Sequence, residues 1–123
     1  NQPTHIQPAT VEAVEHGGPH KLKGYRKSTS GSSNALKLLT EFVPPAVAVR
    51  ASGWGSYSSG IYTACQKTGN VNHGVQLVAY WSTYWIIKNS WGTRWGSGGY
   101  MRISMKNDCF ITKYGGYIGV LDL

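Results

Sequence analysis

The sequence predicts an α+β domain, a small antiparallel half-barrel sheet carrying one short helix. Three observations support this. Runs of β-branched and aromatic residues with strand character cluster after residue 74. Helical periodicity is confined to one short stretch. Gly (16), Tyr (8) and Trp (5) are plentiful, a mix that suits strands and tight turns with large aromatic anchors better than a helical bundle. A chain of 123 residues suits one small domain, and neither an internal repeat nor a second domain is visible.

Along the chain, residues 1–20 are polar and proline-rich and read as an extended arm; residues 21–123 form the β-rich domain. His16 and His20 have the spacing of a shared helical metal site, but Gly17, Gly18 and Pro19 between them disfavour a helix, so they read as loop histidines. No metal site and no cofactor is expected. Residues 28–34 form a loop. A helix follows over 34–42, with Ser33 as its N-cap and Leu36, Leu39 and Val43 on one side; Pro44 and Pro45 stop it. Residues 46–51 read as a strand, and Gly and Ser punctuate 53–60. Residues 74–81 and 84–89 form a hairpin across Ser82 and Thr83. Residues 99–104 make a third strand of this region and 117–121 a fourth.

The formal net charge is +7, with only Glu12, Glu15, Glu41, Asp108 and Asp122 as carboxylates. Such a balance attracts acidic partners or nucleic acid. The basic residues are scattered, however, and the one cluster, Lys21, Lys23, Arg26 and Lys27, reads as a solvated face, so no nucleic-acid role is expected. No apolar run approaches the ~20 residues of a membrane helix. No basic-then-apolar leader opens the chain, which is expected of a mature, processed polypeptide. Cys65 and Cys109 could be bridged or reduced. A bridge would close a loop of about 45 residues, stabilise by at most about 4 kcal/mol, and imply an oxidising compartment.

Few groups could carry chemistry. The carboxylates are too dispersed for a paired-carboxylate hydrolase, and no Gly-rich phosphate loop precedes a helix. His73 stands at the mouth of one hairpin strand and Asn89 at the end of the other, so the turn brings them side by side. A carboxamide oxygen can accept a ring N–H and fix the tautomer, leaving the second nitrogen as a base for a thiol or hydroxyl. Trp91 would shield that bond from water. By the residues alone, a strand-end histidine and a turn asparagine remain the plainer reading.

The segment VNHGVQLVAYW…YWIIKNSWGTRWGSGGYMRI resembles the histidine- and asparagine-bearing part of papain-like cysteine proteases. Lys88-Asn89-Ser90-Trp91-Gly92, then Trp95-Gly96 and Gly99-Tyr100, is the most specific part. Upstream, PPAVAVRA, SSGIY at 58–62 and Cys65 are also similar, as is Cys109 downstream; the likeness runs over roughly 18–123. It implies the family's right-hand domain, with His73 as general base and acid, Asn89 as orienter of the imidazole, Trp91 as its cover and Trp95 as a neighbouring wall. It also implies a Cys65–Cys109 disulfide, a substrate pocket with Tyr114 as floor and Val49, Val71 and Gly74 as walls, and a secreted, lysosomal or vacuolar location.

The departures are as informative. The nucleophile's Gly-Ser-Cys-Trp context and the oxyanion-binding Gln are missing. The resemblance therefore implies that both lie outside this chain, on a second polypeptide of a processed two-chain enzyme or on the rest of a protein of which this is a fragment, and it implies a peptide or protein substrate. Asn72 stands where Asp is common, and Ala79-Tyr80-Trp81 where Gly-Tyr-Gly is usual; Phe110 and the Gly115-Gly116 pair also depart. The competing expectations are a non-catalytic or repurposed relative, such as a silicatein-like Ser variant acting as a scaffold, and an aromatic binding module built on Trp54, Trp91 and Trp95.

Overall fold

The computed structural model describes residues 5–6 and 21–122. Their strands form a single eight-stranded sheet. β2 (Lys21–Lys27), β8 (Gly116–Asp122), β3 (Ala46–Val49), β5 (His73–Tyr80), β6 (Tyr84–Lys88), β7 (Tyr100–Ser104) and β4 (Ile61–Tyr62) lie side by side in that order, and β1 (His5–Ile6) pairs with the far end of β5. The two ends of this path, β2 and β4, do not pair with each other, so the barrel stays open. Every pairing is antiparallel except β4 with β7, which is parallel; the expected all-antiparallel sheet is corrected there. Of the expected arm, His5 and Ile6 pair with Tyr80 and Ala79, while its remainder, with His16 and His20, lies outside the described residues.

The single helix among the described residues, α1 (Ser33–Thr40), begins and ends slightly earlier than expected. Ser32, not Ser33, is the N-cap: it is extended and its side chain accepts from Ala35 N at 3.1 Å, satisfying an otherwise orphan donor. Leu36 and Thr40 are fully buried, and the Thr40 hydroxyl donates back to the Leu36 carbonyl at 2.7 Å. The helix stops before Phe42, which is 80% exposed, because Pro45 and its neighbour Pro44 disfavour helical geometry in the residues before them.

The sheet core follows strand alternation. Val47 and Val49 of β3, Val75 and Leu77 of β5, and Met101 and Ile103 of β7 all point inward and are buried. β5 breaks this rhythm once. Its register with β6 runs Gln76↔Lys88 and Leu77↔Ile87, then Ala79↔Ile86, so an extra residue at Val78 makes a β-bulge and lets Val78 and Ala79 both be buried. The turn is closed by Trp81 N donating to Tyr84 O at 2.9 Å.

β2 was not expected, because KLKGYRK reads as a charge cluster. Its strand character comes from tertiary pairing with β8, with an irregularity between Leu22 and Gly24. Arg26 and Lys27 are exposed, as a solvated basic face on a sheet edge would be. The Gly115-Gly116 pair admits this packing. Any Cβ at Gly115, where φ is +78°, would collide with the Ser28 carbonyl, and one at Gly116 would lie 2.7 Å from Leu36 Cδ1. Ser28 Oγ instead accepts from Gly116 N at 2.8 Å.

Cys65 and Cys109 form a disulfide. Cys109 (φ +56°) and Phe110 (φ +69°) both adopt left-handed backbone, which costs a non-glycine residue roughly 1–2 kcal/mol. The turn is held nonetheless: Arg50 N donates to Cys109 O at 2.9 Å, the bridge fixes Cys109, and Lys113 Nζ sits 5.0 Å from the Phe110 ring centre. Phe110→Gly and Phe110→Ala both delete the ring, so comparing them isolates the backbone. The Gly variant should be more stable by about 1 kcal/mol, measured by chemical denaturation; an Ala variant of equal or greater stability would contradict the strain.

Asp108 heads the same turn. Burial pushes its carboxyl above the ordinary carboxylate range, against hydrogen bonds from the Thr112 hydroxyl (3.3 Å) and from the backbone amides of Thr112 and Phe110. A carboxyl that holds its proton more tightly when folded makes the native state bind more protons than the unfolded chain, so its contribution to stability falls as pH rises through that interval. Asp108→Asn should therefore raise Tm at neutral pH, with the gain shrinking toward about pH 4. Calorimetry across that range checks it, and a lower Tm at pH 7 would contradict it.

Candidate active site

His73 opens β5 opposite Val49. Asn89 follows β6, its backbone N–H donating to Gly99 O at 3.0 Å. Carrying the Gln76↔Lys88 register one step on sets Asn89 opposite Val75, and hence on the same face as His73. The two side chains meet there, with His73 Nε2 2.7 Å from Asn89 Oδ1. That oxygen also accepts from Ser90 N at 2.8 Å. A backbone N–H can only donate, so the contacting atom of Asn89 is its oxygen, and Nε2 must carry the proton. Nδ1 is thereby left as the basic nitrogen of the neutral ring. Asn89 is only 6% exposed, and its Nδ2 is enclosed without a partner among the described residues.

Aromatic rings enclose the imidazole. Trp91 stacks on it with centroids 5.1 Å apart and planes inclined by 29°. Trp95 stands edge-on to Trp91 at 5.2 Å. Trp54, fully buried, meets His73 perpendicularly at 6.3 Å. By sequence, Trp54 stands only as a candidate binding aromatic. The available signal was its setting, a large apolar residue amid small ones (SGWGSY), which marks a turn folded inward.

Asn72, where a carboxylate was the commoner expectation, ties two segments together. Its Oδ1 accepts from Ala51 N at 2.8 Å and its Nδ2 donates to Ser52 Oγ at 3.3 Å. The chain's two cysteines are both in the bridge, so no thiol of this chain can serve His73.

Of the residues expected to line a substrate pocket, Val49 pairs with His73 across β3 and β5, next to Gly74, and its carbonyl accepts from Asn72 N at 2.9 Å, beside Val71. A cleft of about 280 Å³ beside the pair is lined by Ala46, Gly74, Val75, Gln76, Lys88, Asn89 and Ser90, a set that includes Gly74 but not Val49, Val71 or Tyr114. Val49 is fully buried and Val71 half-buried. Tyr114 is 39% exposed on a different turn, with Lys113 Nζ 5.4 Å from its ring centre.

The described strands thus form an open half-barrel that carries a histidine–asparagine pair beside tryptophans. Residues 5–118 match the papain family cysteine protease model, and the chain belongs to that family. It is 49% identical over 76 residues to cysteine proteinase B of Leishmania mexicana, covering 58% of this chain and 17% of that protein. It is 42% identical over 88 residues to cysteine proteinase COT44 of Brassica napus, covering 67% and 26%. Among solved structures, it resembles the Carica candamarcensis cysteine protease CMS1MS2 in complex with E-64 (TM-score 0.72, 30% identity, 81% of this chain and 49% of that one). Procathepsin L2 of Tenebrio molitor is similar at TM-score 0.72 and 34% identity, over 81% and 34%. The chain thus spans about half or less of each of these relatives.

The tautomer assignment is directly testable. Ring ¹⁵N shifts of His73 should show the proton on Nε2, with a slowly exchanging N–H; a dominant Nδ1–H form would contradict the Asn89 orientation.

Proposed function

We propose that this chain supplies the proton-transfer half of a papain-like thiol endopeptidase, with the nucleophile and the oxyanion-binding Gln on a second polypeptide. The observation that carries this reading is the 2.7 Å His73 Nε2 to Asn89 Oδ1 hydrogen bond in a family member whose own thiols are both bridged. In this reading, His73 Nδ1 takes the proton of the incoming thiol. The resulting thiolate attacks the peptide carbonyl, and the same nitrogen returns the proton to the departing amine before water releases the acyl group. Asn89 holds the tautomer and does no proton transfer. Trp91 excludes water from the hydrogen bond, which strengthens it. The bridge supports placement in a secretory, lysosomal or vacuolar compartment, and none of the helices among the described residues is long and apolar enough to cross a membrane.

In the assembled enzyme, His73→Ala should lower kcat/KM by about 10⁴-fold or more, and Asn89→Ala by less, about 10–10²-fold. Steady-state hydrolysis of a peptide substrate checks both. Unchanged turnover in His73→Ala would refute the reading, and an inactive assembly with the pair intact would favour a scaffold. Tyr114 is proposed to limit the substrate pocket once the missing half is in place. A Leu substrate should then outperform its Phe counterpart by about 10-fold, and Tyr114→Ala should improve the Phe substrate selectively.

A further inference from the structure

Trp54 lies outside every motif that marks the site, yet it is the side chain through which the site reaches the disulfide. Its indole N–H donates to Cys109 Sγ at 3.4 Å, and its carbonyl accepts from Trp95 Nε1 at 2.9 Å. Its backbone N–H donates to Ala51 O at 3.1 Å. Its ring stacks on Trp95 at 6.3 Å and 24°, and meets Trp91 at 6.3 Å and 67° and His73 at 6.3 Å and 87°. The residue is fully buried, and its flanking Gly53 is held at φ +87° with Tyr62 Oη packed close by.

We infer that Trp54 is a positioning residue that couples the Cys65–Cys109 bridge to the His73 imidazole. A disulfide sulfur is a weak acceptor, but it is the partner that the buried indole N–H has, and a buried N–H without one is costly. The bridge therefore sets the rotation of the indole about its side-chain bonds. The indole in turn sets the rings that confine His73, and the interior is too densely packed for a shift at one ring to be absorbed silently by the next. A phenylalanine here would keep an aromatic ring, though a smaller one, and make no link to the bridge.

The inference rests on His73 acting as the proposed base, and the test separates the two. Trp54→Phe keeps a ring and removes the N–H; Cys65→Ala/Cys109→Ala removes the acceptor; the triple variant combines them. Each is made in the intact enzyme and read by kcat, KM and the exchange-protected Nε2–H resonance of His73. Trp54→Phe should lower kcat about 3- to 10-fold with KM within about twofold, and the bridge-free variant by a similar factor. The triple variant should be no worse than the bridge-free one, because two changes that break one link are not additive. Multiplying effects, or a lower Tm with kcat and the Nε2–H signal unchanged, would show that Trp54 is packing alone. If the enzyme proves inactive, or the bridge-free variant does not fold, Trp54→Phe still decides. Faster exchange of the Nε2–H signal supports the coupling and an unchanged signal overturns it.

Discussion

The pairing of β5 with β6 is the constraint on which the rest of this structure depends. Side chains alternate across a sheet, so a slip of one residue would send the inward set of β5 to the opposite face. With Gln76 opposite Lys88, His73 and Asn89 fall on one face as diagonal neighbours. The bulge at Val78 absorbs the extra residue beyond that point, so the irregular turn around Trp81 is accommodated without disturbing the end that holds the pair. Site geometry and core packing are thus two results of one register. Val75 and Leu77 are buried for the same reason that His73 reaches Asn89.

Around that pair the protein substitutes aromatic surface for a closed cleft. A hydrogen bond between neutral groups is worth little in water and more where water is excluded. Trp91, Trp95 and Trp54 provide exclusion on the sides this chain controls, although Trp91 is itself 43% exposed. The enclosed Nδ2 of Asn89 is the reverse case, a buried donor with no partner among the described residues. The turn at 108–114 carries strain as well, with two left-handed non-glycine residues and a half-buried carboxyl. Such features concentrate at functional edges, where surrounding contacts over-determine the backbone.

Most of the fold was legible from pattern. The alternation in 74–81 and 84–89 marks a hairpin, the periodicity of 34–42 with two prolines behind it marks the helix, and hairpin spacing alone brings His73 near Asn89. The bounds moved by a residue or two where caps and turns competed, as with Ser32 over Ser33. β2 escaped notice because its lysines read as solvated charge, and only its neighbour β8 makes it a strand. Local pattern does not say which elements converge on a pocket: Val49 and Gly74 come together only because β3 pairs with β5, and Tyr114 stands on a separate turn.

The sequence by itself determined the helix, the hairpin, the strands near 46–51, 99–104 and 117–121, the family, and the identities of the histidine and asparagine, because these rest on local periodicity and on a dense motif. Tertiary structure alone decided that Asn89 offers its oxygen rather than its amide, since the second donor, Ser90 N, had to be seen in place. It alone decided that β4 runs parallel to β7. It also brought Trp54 from an unremarked turn to the centre of the aromatic shell. These outcomes depend on distances between residues remote in sequence, which are set when the whole sheet curls and its buried face is packed.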